Sequence, residues 1–142
     1  DPERHFIITT NTLGNGKAIS PSNSTRQPGA GFPRFTIIDM VRAQHRLVRE
    51  VFGIEQLLAV AGLSMGGMQT LQWAVAFPKA MKAIVPIITQ ARATPWVSAY
   101  WHAMRKPILE STTDDARRDA LCRCLYHFLI MTRHWLWYSK CF

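Results

Sequence analysis

Cysteine is nearly missing from this chain: the three present, Cys122, Cys124 and Cys141, all lie near the end of 142 residues. Their odd number and the lack of C-x-x-C spacing fit neither a disulfide framework nor a zinc site, so a reducing cytoplasm is the expected compartment and no metal is expected. Acidic side chains are scarce too, 9 against 17 lysines and arginines, for a formal charge of +8. An excess of this size attracts polyanions, but Arg42, Arg46 and Arg49 fall at helical spacing on one solvated face, and the other basic residues are scattered without interleaved aromatics. Nucleic acid is therefore not an expected partner. Long apolar runs are lacking as well. The apolar stretch 121–142 is broken by Arg123, His127, Arg133, His134 and Lys140, whereas a membrane-spanning helix needs about 20 predominantly apolar residues. No membrane insertion is expected, and the opening Asp1-Pro2-Glu3-Arg4-His5 has neither the apolar run nor the small-residue cleavage site of a signal peptide.

What is present reads as one globular domain, with 48% apolar residues. Residues 6–10 are short, β-branched and apolar and predict a buried strand, followed over 14–33 by a Gly-, Pro-, Ser- and Asn-rich loop with no regular structure. Asp39 is the expected N-cap of a helix whose apolar stripe is Met40, Val41, Gln44, Leu47, Val48, Val51 and Phe52, with Gly53 ending it. Residues 57–61 are continuously apolar, as expected of a parallel strand covered on both faces. A helix over 68–77, with Leu71, Ala74 and Val75 inward, stops at Pro78, and 83–88 is a further strand. Strand, helix, strand, helix, strand is the pattern of a parallel α/β sheet with flanking helices.

The chemistry sits between two of these elements. In Gly62-Leu63-Ser64-Met65-Gly66-Gly67 a serine follows an apolar strand and opens a helix. Glycines two before and two after it allow the sharp turn of a nucleophile elbow, which holds the hydroxyl out at the top of the sheet. Ser64 is thus the expected nucleophile of an acyl-transfer site. The backbone N–H of Met65, at the helix N-terminus, is the expected donor to the oxyanion of a tetrahedral intermediate.

The segments Phe35-Thr36-Ile37-Ile38-Asp39-Met40-Val41-Arg42-Ala43-Gln44 and Gly62-Leu63-Ser64-Met65-Gly66-Gly67-Met68-Gln69 resemble the homoserine O-acetyltransferase family over about residues 1–109. Leu13-Gly14-Asn15-Gly16, with Ser20-Pro21-Ser22-Asn23 after it, resembles more closely a set of hydrolase-like relatives of that family. The resemblance implies a doubly wound α/β-hydrolase sheet, an acyl-serine on Ser64, and transfer of an acetyl group from acetyl-CoA, as a substrate rather than a resident cofactor, to the hydroxyl of homoserine, a step of methionine biosynthesis. It also implies that the aspartate and histidine of the triad come later in the chain than anything matched here, the histidine in a Gly-His-Asp context that this sequence does not contain. The second oxyanion donor would come from a loop upstream of residue 1.

Among the other titratable residues, His102, His127 and His134 follow the serine and could pair with Asp114, Asp115 or Asp119, but each reads more simply as a packing or surface side chain. His5 and His45 precede it, His45 beside the arginine face and expected to be solvated. Arg92 follows the strand 83–88, where loops at the carboxyl ends of parallel strands line a ligand crevice, and is a candidate contact for an anionic substrate group. Trp96, Tyr100 and Trp101 either line a pocket or fill a core.

The expected organisation is a partial α/β-hydrolase core over 1–109 and a divergent tail over 110–142 without clear periodicity, consistent with a truncated or frame-disrupted product. The leading reading is an acyltransferase acting on small molecules, an acyl-CoA with homoserine; the alternatives are an esterase-like hydrolase and a catalytically inactive fragment. The sequence leaves a homo-oligomer open.

Overall fold

The computed structural model describes residues 1–141, and the chain forms two compact units, Asp1–Ala91 and a second beginning at Arg92. In the first unit, α1 (Ile37–Arg46) begins where Thr36 turns from extended backbone, φ −124° and ψ 176°. The Asp39 carboxylate reaches back to accept both the Thr36 N–H at 2.9 Å and the Thr36 hydroxyl at 2.8 Å. The cap is therefore Thr36, and Asp39, expected as the N-cap, is instead the third helical residue of a capping-box arrangement. A wider π turn, Leu47–Val51, continues the helix. Gly53, at φ +64°, ends it, with the Ile54 N–H donating to the Val48 carbonyl at 3.1 Å. Only a residue without Cβ enters that left-handed region cheaply.

Two parallel strands follow, β1 (Leu57–Leu63) and β2 (Met81–Ile87), in register with Leu57 opposite Met81 and Leu63 opposite Ile87. Parallel neighbours need a crossover, supplied by α2 (Met65–Ala76), after whose C-cap Phe77 comes Pro78. The core of this unit gathers Val41, Val48, Trp73 and Met81, with Ile8, Leu57, Val60 and Ile84 packed at its margin. Within it the Trp73 indole N–H donates to the Gln44 side-chain oxygen at 2.9 Å, and the Gln44 amide donates to Gln69 at 2.6 Å. This chain satisfies the buried polar atoms that tie α1 to α2. The His45 ring stacks on Phe77 with centroids 3.8 Å apart and meets Trp73 edge-on. It is half-buried packing rather than a solvated side chain.

Three further expectations are corrected. Residues 6–10 form no strand: Phe6 and Ile7 are exposed, and only Ile8 joins the core. In the described residues β1 is hydrogen-bonded to β2 alone, and beside β1 runs a groove of about 860 Å³ whose walls include Phe6, Ile8, Thr10, Leu58 and Val60. The strands are not covered on both faces within this unit, since Leu58, Leu63, Val85 and Ile87 all remain exposed. Val75 points outward at 78% exposure, because α2 turns Gly67, Gln69, Thr70 and Trp73 inward. Composition marked all of these side chains as apolar, but two strands and two helices bury only one layer of them.

The loop before α1 has one short 3-10 turn, Gly29–Gly31, and is organised by side chains. Asn15 accepts from the Lys17 and Ala18 N–H groups at 2.9 and 2.8 Å, while Asn23 accepts from Ser20 N–H at 2.7 Å and donates to the carbonyls of Gly16 and Ala18. Gly14, at φ +84°, lies so close to Phe35 that a Cβ there would stand 2.7 Å from the ring.

The second unit is helical: α3 (Pro95–Glu110), α4 (Asp114–Thr132) and α5 (Trp135–Cys141). Thr94 caps α3 by accepting from Val97 N–H at 3.3 Å, and Thr113 caps α4 by accepting from Ala116 N–H at 3.2 Å. Residues 114–132, where the sequence shows no clear period, are thus a capped helix, and its apolar side chains spread around the axis and leave Leu121, Leu125, Leu129 and Ile130 exposed. Trp96 stacks on Tyr100, and Trp101 meets Phe128 with centroids 5.9 Å apart, so this aromatic group packs α3 against α4. Among the described residues no helix is long and apolar enough to cross a membrane.

Two predictions follow from the first unit. Trp73→Ala removes a side chain that is 3% exposed and strands the Gln44 oxygen, and should destabilise the unit by about 3–5 kcal/mol in urea unfolding. The Asp39 carboxyl is held below its ordinary pKa, chiefly by the hydrogen bonds from Thr36 and less by Arg42. A depressed folded-state pKa gives stability that is present above the unfolded value of about 3.9 and lost as pH falls through the folded one. The Tm gap between wild type and Asp39→Asn should accordingly be open at neutral pH and close in acid; a gap independent of pH would contradict this account of the cap.

Candidate active site

Ser64 lies between the last residue of β1 and the first of α2, with φ 54° and ψ −116°. That conformation is sparsely populated for an L-residue, and its persistence requires the surroundings to enforce it. They do so from both sides. The Ser64 N–H donates to the Ile87 carbonyl at 2.9 Å, and the Ser64 carbonyl accepts from the Thr89 hydroxyl at 2.8 Å and from the Met68 N–H at 3.1 Å. Both backbone polar groups of the residue are therefore committed, and the side chain stands at an exposed position.

The glycines have separate reasons. A Cβ on Gly62 would stand 2.2 Å from the Gly66 carbonyl oxygen and 2.8 Å from Thr70 Oγ1, so any side chain there would push strand and helix apart. A Cβ on Gly67 would meet Thr89 Cβ at 2.6 Å. Position 66 has open space at its Cβ, so the second glycine of Gly-x-Ser-x-Gly is not demanded by side-chain room in this unit. Thr70 Oγ1 donates to the Gly66 carbonyl at 2.9 Å, fastening the first turn beneath the serine.

Met65 is the first residue of α2. The first N–H groups of a helix have no partner within it, and the aligned peptide dipoles make that end positive. Its N–H stands at that positive end, next to Ser64.

Within the first unit, no side chain among the described residues hydrogen-bonds Ser64 Oγ. His5 Nδ1 contacts the Asp1 carbonyl at 3.0 Å. Burial against Phe77 and Trp73 pushes the His45 pKa down, Arg49 adds to this and Glu55 opposes it. In the second unit, Arg92 borders an open hollow with Ala93, Thr94, Pro95 and Ser98. His127 Nδ1 contacts the Arg123 carbonyl at 2.8 Å, and His134 Nδ1 accepts from Leu136 N–H at 3.3 Å. Asp114 pairs with Arg117, Asp115 with Arg118 and Asp119 with Arg123, so each acid weighed as a histidine partner is engaged with an arginine on its own helix. No group of metal-ligating side chains occurs among the described residues. Sequence reasoning missed Thr89, which lies two residues beyond β2 and carries no motif of its own.

The sequence profile of the alpha/beta hydrolase fold matches residues 1–111. A homoserine O-acetyltransferase of Deferribacter desulfuricans is 45% identical over 105 residues, 70% of this chain and 28% of that protein. Among solved structures, an acetylester hydrolase from Corynebacterium glutamicum superposes with a TM-score of 0.85 at 32% identity, covering 99% of this chain and 43% of that one. The acetyl esterase MekB superposes with a TM-score of 0.76 at 31% identity, over 89% of this chain and 39% of its own. The chain spans less than a third of the length of the curated relatives it matches, at 28%, 30% and 23%. With a strand, a strained serine and a helix in the order that the fold requires, and with that profile match over most of its length, this chain belongs to the alpha/beta hydrolase fold family.

Proposed function

We propose that the chain carries the nucleophile elbow of an acyltransferase of homoserine O-acetyltransferase type, acting on an acyl-CoA and a small hydroxyl acceptor. The observation that carries this reading is the positive-φ Ser64 at the junction of β1 and α2, joined by the 45% identity to a homoserine O-acetyltransferase. Ser64 Oγ attacks the thioester carbonyl and gives its proton to a base. The developing oxyanion takes a hydrogen bond from the Met65 N–H, and the thiolate of CoA leaves and is protonated. The acceptor hydroxyl then attacks the acyl-serine, forming the new ester and returning the proton to Ser64. No residue described here is assigned the part of that base. Arg92, in the second unit, is kept as a candidate anion contact and takes no part in these steps.

A second reading has its own support: the two structural neighbours named above are an acetylester hydrolase and an acetyl esterase. On that reading water replaces homoserine in the second step and the first is unchanged.

Both readings require the acyl group to reside on Ser64. The test is intact-mass spectrometry after exposure to p-nitrophenyl acetate, with imidazole added to supply a base. An acetyl adduct that maps to Ser64, forms faster as imidazole increases and is absent from Ser64→Ala is the expected result. An adduct that persists in Ser64→Ala, or no adduct at any imidazole concentration on a folded sample, would overturn the assignment. Release of the adduct by homoserine but not by buffer separates the transferase from the hydrolase.

A further inference from the structure

We infer that Thr89 is a positioning residue for the oxyanion donor, acting through the peptide that joins Ser64 to Met65; this deepens the reading of Ser64 as a nucleophile and rests on it. The Ser64 carbonyl and the Met65 N–H belong to one planar trans peptide and point in opposite directions. Whatever fixes that carbonyl fixes the direction of the N–H. Two donors hold it: Met68 N–H at 3.1 Å, the ordinary first helical bond, and Thr89 Oγ1 at 2.8 Å, which comes from outside the helix.

The approach of Thr89 is built into the backbone at some cost. Ile88, a β-branched residue that is 85% exposed, has φ +45°, a conformation that such side chains avoid. No burial of its own side chain explains that conformation. Its neighbours on both sides bond to the same residue: the Ile87 carbonyl accepts from the Ser64 N–H, and the Thr89 hydroxyl donates to the Ser64 carbonyl. The chain reversal at Ile88 lets consecutive parts of one short segment grip the front and back of the elbow. Gly67 completes the fit, since a Cβ there would stand 2.6 Å from Thr89 Cβ and 2.7 Å from Cγ2. Thr89 is thereby seated against the first turn of α2 at its methyl side, with the hydroxyl directed at the Ser64 carbonyl.

A hydroxyl whose only work was to satisfy a polar atom would be dispensable, because Met68 already bonds that carbonyl. A hydroxyl that sets the tilt of the Met65 N–H is not, and removing it should alter the Met65 amide and the reactivity of Ser64 together.

The variants are Thr89→Val, which keeps the shape and loses the donor, and Thr89→Ser, which keeps the donor and loses the methyl. Hydrogen exchange and ¹H–¹⁵N shifts of the Met65 amide, read in the full chain, do not depend on turnover. Thr89→Val should shift the Met65 resonance and change its exchange rate by about tenfold, with Val60 and Ile84 in the strand interiors unchanged. Thr89→Ser should restore both values toward wild type. The rate of Ser64 acetylation in imidazole should fall about tenfold in Thr89→Val and recover in Thr89→Ser. An unaltered Met65 amide in a folded Thr89→Val protein would overturn the inference, as would a serine variant that behaves like valine. If the Met65 amide responds as expected while wild-type Ser64 takes no acetyl group, the positioning geometry stands and the nucleophile reading fails.

Discussion

Ser64 is held at a backbone angle that it would not keep alone, and most of the first unit can be understood as what holds it there. A residue in such a region costs of order 1–3 kcal/mol. The opposing interactions are local: its own N–H and carbonyl are bonded to the segment Ile87 to Thr89, so the turn cannot relax without breaking into the end of β2. The parallel register that places Leu63 opposite Ile87 puts those partners within reach, and the crossover helix fixes the register by returning the chain from β1 to β2. Close approach of β1 and α2, possible only because Gly62 lacks a side chain, sets where the first turn of the helix lies. The strained conformation of Ser64 is thus a property of the strand–helix–strand unit rather than of the five-residue motif.

The core underneath serves the same end. Trp73, Gln44 and Gln69 lock α2 against α1 by two hydrogen bonds in a setting where an unpaired polar atom would be costly, and His45, stacked on Phe77 and with its pKa pushed down by that burial, fills space beside them. The apolar atoms left over, on Leu58, Leu63, Val85 and Ile87, belong to strand positions that neither helix reaches. Strand composition in a parallel sheet reflects two covering layers, so these residues carry the imprint of a second layer that this unit's own helices do not supply.

How much of this was legible in the sequence differs by the range of the interaction. The sharp turn at Ser64 was legible because its cause is local: strand, glycine, serine and helix lie within a dozen residues, and the steric demands of the turn are written at fixed spacings. The end at Gly53 of the helical stretch that continues α1 and the stop of α2 before Pro78 were legible for the same reason. Asp39 was assigned to the right structure and the wrong position, since a carboxylate in a cap and one three residues inside it look alike until the Thr36 backbone angle is known. Residues 6–10 show the limit of composition: their β-branched run has strand character, but a strand exists only by pairing, and here nothing in the described chain pairs with it. Thr89 was invisible because its role depends on the left-handed turn at Ile88, for which an isoleucine gives no signal.

The first turn of α2 also lacks what would make it most stable. Acidic side chains near a helix N-terminus are favourable by typically 0.3–1 kcal/mol, and α1 has one in Asp39; α2 has none, its first four residues being Met65, Gly66, Gly67 and Met68. A carboxylate placed there would occupy the free N–H groups and cancel the positive end of the helix. An oxyanion forming on Ser64 would then have to displace it. Two glycines in a first turn weaken the helix further, since each loses more backbone entropy than alanine would. The first turn is held instead through its carbonyls, by the Thr70 hydroxyl of the same helix on Gly66 and by the Thr89 hydroxyl, from outside the helix, on Ser64, neither of which takes up an N–H of the first turn. Stability is therefore drawn from the carbonyl side of these peptides, and the N–H side stays available for the negative charge that the proposed reaction would create.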